Sequence, residues 1–168
     1  LADLTGLVDK AQQGTLTTEQ KIVFSAIVKS LSRLHPDINR DDYRRGTGGR
    51  NSDVDSPCSV PADAAKKIKP DDVAPSSPVA ADRLRHYLAE WALPQRRLSA
   101  PLYVWYGGTD PFIDPSWTAD AVRRVCSLGG TVAVVFERDK GHGEINYNDQ
   151  FNWLTDRFAD RPVTNACA

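Results

Sequence analysis

"PLYVWYGGTDPFIDP", residues 101 to 115, decides how the chain is read. Leu102 to Tyr106 form an apolar, aromatic-rich run of strand type, with few charges on either face, as expected where both faces of a strand are buried. The run stops at Gly107-Gly108, and a carboxylic acid, Asp110, stands just past the stop. Taken alone, Asp110 reads equally well as a turn acid before a proline or as an acid held for chemistry.

The pattern continues on both sides of that stretch. "PSWTADAVRRVCSLGG" places Trp117, Ala121, Val125 and Leu128 on one helical stripe that Gly129-Gly130 end. "TVAVVFER" is a second strand of the same buried type, and "NYNDQFNWLTDRF" is a final helix predicted to turn Phe151, Leu154 and Phe158 inward. Upstream, "VAADRLRHYLAEWAL" is an amphipathic helix with Leu84, Tyr87, Leu88 and Trp91 on one face. Strand, helix, strand, helix in that order predicts an α/β layer of parallel strands with a right-handed crossover. Two parallel strands do not make a stable sheet alone, so the chain is expected to be part of a larger sheet.

Residues 1 to about 46 read as helical. Leu4, Leu7, Val8 and Ala11 share a face that Gly14 closes. Thr17 with Gln20 resembles a capping box, followed by Val23, Phe24, Ile27, Leu31 and Leu34 at helical spacing up to Pro36. Residues 47 to about 80 are rich in proline and small polar residues and read as an irregular crossing. The expected domains are therefore 1–80, helices plus crossing, and 81–168, the α/β part.

Composition narrows the function classes. The chain has 168 residues, 26% charged, and a formal net charge of -1, with no basic stripe of the kind that nucleic acid requires. No apolar run is long enough for a membrane-spanning helix. Leu1 opens into polar–apolar alternation without the basic and apolar regions of a signal peptide, which leaves room for one removed from a longer precursor. The three cysteines, Cys58, Cys126 and Cys167, fit no zinc spacing. One disulfide with a third cysteine pairing outside the chain, or three free thiols in a reducing compartment, both suit an odd count.

In open α/β sheets, ligands sit at the carboxyl ends of the strands. Two polar constellations fall there: Gly107-Gly108-Thr109-Asp110 after the first strand, and "DKGHGEIN", with His142 between two glycines, after the second. Parallel strands put both loops on one edge. A carboxylate and an imidazole meeting there is the arrangement in which the acid fixes the ring tautomer and steadies the imidazolium. Asp114 is the alternative acid. Asp139 and Glu144 flank His142 and read first as surface charges. His35 and His86 read as solvent-facing, Tyr103 and Trp105 as core, and Val23, Phe24 and Ile27 as helix packing.

"APLYVWYGGTDPFIDP", "AVRRVCSLGGTVAVVFERDKGHGEIN" and "FNWLTDRF" together resemble the C-terminal half of an α/β-hydrolase, most similar to the secreted lipases of the fungal and actinobacterial type. The resemblance is good over residues 84–160 and loose over 1–80. In that family a strand ending in Gly-x-x-Asp supplies the triad acid and a later Gly-His supplies the base; Asp110 and His142 match, 32 residues apart. The helical zone would be the family's cap, where Val23, Phe24 and Ile27 could face an acyl chain. No Gly-x-Ser-x-Gly elbow occurs here, and neither does an oxyanion-hole segment. The resemblance therefore implies an ester hydrolase, secreted or in the cell envelope and free of metal or organic cofactor. An N-terminal fragment carrying the nucleophile Ser would complete it, and its substrate would be a small-molecule or lipid ester. It also implies a Cys126–Cys167 disulfide and a bond from Cys58 to the missing segment. The alternative from another class is a non-catalytic binding or structural subunit that keeps the scaffold.

Overall fold

A computed structural model describes residues 2–45, 66–144 and 147–167. The expected Cys58 bond, and much of the Pro-rich crossing, lie outside the described residues. The chain is mixed α/β. In order it holds α1 (Gly6–Gln13), α2 (Thr18–Leu34), short 3-10 turns at Arg40–Tyr43 and Pro70–Asp72, and α3 (Pro78–Trp91). Strand β1 (Leu102–Gly107), α4 (Pro115–Ser127), β2 (Val132–Glu137) and α5 (Tyr147–Phe158) follow. It forms two compact units, one of residues 4–91 and one of 92–168 with 1–3. The third helix belongs to the first unit.

In the helical unit, local chemistry sets the helix ends. Gly14 takes φ +68°, the left-handed conformation that closes α1 without a Cβ clash. The capping box of α2 is formed: the Thr17 hydroxyl accepts from Gln20 N at 3.0 Å and the Gln20 side chain accepts from Thr17 N at 3.2 Å. The buried stripe of α2 runs through Gln20, Phe24, Val28 and Leu31, and Leu34 is left 64% exposed. On α3 the core side is Ala80, Ala81, Leu84 and Leu88, the two alanines admitting close approach, while Trp91 stays exposed. Tyr43 locks the unit: its hydroxyl donates to the Ala80 carbonyl at 2.9 Å, and its ring lies 6.4 Å from that of Phe24. Burial pushes the Tyr43 phenol up to about 12. His35 is half-buried rather than solvent-facing, its ring centroid 3.8 Å from that of Tyr87.

In the α/β unit, β1 and β2 pair in parallel, from Leu102 opposite Val132 to Gly107 opposite Glu137. Side chains alternate across the sheet. Leu102, Val104 and Tyr106 face α4, where Val104, Val125 and Val132 form the buried core with Val122 and Val134 packed on it. Gly129 at φ +72° ends α4 as the paired glycines led one to expect. A disulfide joins Cys126 on α4 to Cys167, and the tail adds a bond from Ala166 N to the Val132 carbonyl at 2.8 Å. On the opposite face Tyr103 meets Trp153 of α5 at 5.4 Å between centroids, and Trp105 donates its indole N–H to Glu137. Phe151, Leu154 and Phe158 do not turn inward: they are 66%, 46% and 84% exposed. A two-stranded sheet offers too little surface to seat the whole apolar stripe of α5.

Candidate active site

Parallel pairing with Gly107 opposite Glu137 brings the two strand ends level, so the loops that follow them share one edge of the sheet. The glycines let those loops touch. A Cβ on Gly107 would collide with the carbonyl oxygen of Lys140, and one on Gly108 with that of Arg138. With hydrogen in those places, Gly108 N donates to the Glu137 carbonyl at 2.9 Å and Thr109 N to the Lys140 carbonyl at 3.0 Å. The second loop is thus stitched directly onto the first.

Asp110 leaves that seam with both carboxylate oxygens committed. Oδ1 accepts from Phe112 N at 2.8 Å and from Ile113 N at 3.0 Å, a turn closed on the acid's own side chain. Oδ2 faces His142 Nδ1 at 2.6 Å, the short separation of a charge-assisted bond. The Asp110 side chain is 9% exposed and that of His142 53%, so the acid is enclosed while the imidazole reaches into solvent. With Nδ1 turned to the carboxylate, Nε2 is the ring nitrogen left for a reacting group.

The loop carrying His142 has its own brace. Glu144 Oε2 accepts from Gly141 N at 2.6 Å, folding the segment back one residue ahead of the histidine. Glu144 acts on the backbone rather than on the ring. Asp114 is separate from the pair: its Oδ1 accepts from Ser116 N at 3.0 Å and from the Ser116 hydroxyl at 2.7 Å, capping α4. Asp139 is exposed on the loop, and His86 lies on α3 3.5 Å from Glu90. Of the charged candidates in the α/β unit, the structure brings together Asp110 and His142.

One neighbour was not foreseen. Phe112 sets its ring 5.1 Å from that of His142, tilted by 48°. The signal in the sequence is an aromatic residue directly after Asp-Pro, inside a turn where polar residues are usual. An apolar hollow of about 300 Å³, lined by Leu93, Pro94, Gln95, Arg96, Leu98 and Leu102, opens beside the first residue of β1, at the far end of the strand from Asp110. It plays no part in the chemistry of the pair.

An acid-anchored imidazole with its second nitrogen open can take a proton from a nucleophile and return it to a leaving group. Compared with protein-family models, with curated proteins and with solved structures, the chain matches none.

Proposed function

We propose that this chain supplies the acid and the base of a serine-type carboxylic ester hydrolase of the α/β-hydrolase kind, and that a segment outside these residues supplies the nucleophilic serine and the oxyanion donors. The observation that carries the proposal is the 2.6 Å contact between His142 Nδ1 and an enclosed Asp110 carboxylate at the shared end of two parallel strands. The open apolar side of α5 and the two-stranded sheet support the need for a completing segment. The disulfide supports an oxidising, extracytoplasmic setting. No helix among the described residues is long and apolar enough to cross a membrane.

In this mechanism the serine oxygen attacks the ester carbonyl carbon as its proton passes to His142 Nε2. Asp110 keeps Nδ1–H pointed at itself, so the basic lone pair stays on Nε2, and it stabilises the imidazolium that forms. The tetrahedral intermediate collapses, His142 returns the proton to the departing alkoxide, and an alcohol leaves. Water then repeats the sequence on the acyl-serine and releases the carboxylic acid.

A fluorophosphonate probe on the native preparation tests this. Labelling of a serine on a segment joined to this chain, lost in His142→Ala, is the expected result. A preparation that takes no label anywhere contradicts it.

A further inference from the structure

We propose that Phe112 is a positioning residue for His142, clamping the imidazole plane so that the hydrogen bond to Asp110 persists and Nε2 keeps one direction; this rests on the reading of Asp110 and His142 as a working pair. The hydrogen bond to Asp110 sets the ring torsion only while it is made. The torsion that turns an imidazole is broad, with no deep wells of its own. The His142 side chain is 53% exposed, so enclosure does not hold it. Glu144 bonds the backbone of Gly141 rather than the ring. Among the described residues, the ring packed beside it is that of Phe112, at 5.1 Å and a 48° tilt, inside the range where aromatic pairs attract.

The same residue is tied to the acid. Phe112 N donates to Asp110 Oδ1 at 2.8 Å, while the other carboxylate oxygen receives His142. Acid, base and clamp therefore form one closed circuit: the turn that orients the carboxylate also aims the ring that braces the imidazole. A phenyl group suits the place because it offers no donor or acceptor to compete for Nε2. Ile113 shares the turn through its own N–H, and it serves as the control.

The test uses the full chain labelled with ¹⁵N-histidine, followed by the downfield Nδ1–H proton resonance of His142, which survives exchange only while the ring is locked on a carboxylate. Wild type shows the resonance. Phe112→Ala loses it, Phe112→Tyr restores it by keeping the ring, and Ile113→Ala retains it. In ester hydrolysis by the native assembly, Phe112→Ala lowers kcat by about 10- to 100-fold with KM little changed, the mark of a misaimed base. If Phe112→Ala keeps the resonance while Asp110→Asn loses it, the clamp is overturned and the pair stands. If wild type itself lacks the resonance, the pair falls and the clamp with it.

Discussion

On the α4 side of the sheet, Val104, Val125 and Val132 are sealed against water, and the Cys126–Cys167 disulfide ties the helix to the tail. On the α5 side, Tyr103 meets Trp153, and Phe151, Leu154 and Phe158 remain in solvent. Both faces come from the same two strands. Among the described residues, one helix finds a complete seat and the other does not. Under the proposed function, these exposed apolar residues are where the segment that brings the serine would pack.

Parallel substitutions should split the two faces. Val125→Glu puts an unpaired carboxylate into the sealed core and should cost more than about 4 kcal/mol, enough to unfold the unit in a denaturant titration. Equal tolerance at Val125 and Leu154 would break the comparison. Replacing Cys126 and Cys167 together by serine opens a loop of 41 residues and should remove about 2–4 kcal/mol, read as a lower unfolding midpoint.

Tyr43, in the helical unit, provides a pH reference. Its phenol stays neutral in the fold up to about 12, against 10 when unfolded. Stability is therefore fully present below pH 10 and is lost as pH rises from 10 towards 12, by at most about 1.4 kcal/mol per pH unit. Tyr43→Phe should flatten that alkaline limb in a stability-against-pH series. The smallest effect belongs to the open helix: Phe158→Ser should change stability by no more than about 0.5 kcal/mol, measured in the chain by itself.

Those differences trace how much was legible beforehand. The strands, α4 and its glycine stop follow from local periodicity and form where expected, although Phe136 of β2 is 47% exposed where a doubly buried strand was expected. The meeting of Asp110 and His142 was legible because parallel strands leave their loops on one edge, whatever the rest of the fold does. The side that α5 presents was not, since an apolar stripe shows which face wants cover and says nothing about whether cover is present. The outer residues of α2 and α3 went the same way: Leu34 and Trp91 fit the helical period, yet packing chose Val28 and the small pair Ala80 and Ala81. Phe112 was missed because its role depends on a turn closed by the side chain of Asp110, a contact that no period encodes. The paired glycines, read as a strand stop, turn out to be the places where two backbones touch.

In the proposed mechanism Asp110 and His142 act as a unit, and kinetics address this most directly. In ester hydrolysis by the native assembly, Asp110→Asn should lower kcat by about 10⁴-fold. The same substitution made on a His142→Ala background should change the remaining rate hardly at all, because the acid then has no base to orient. Full, multiplicative losses from the two substitutions, or an Asp110→Asn enzyme of undiminished rate, would contradict it.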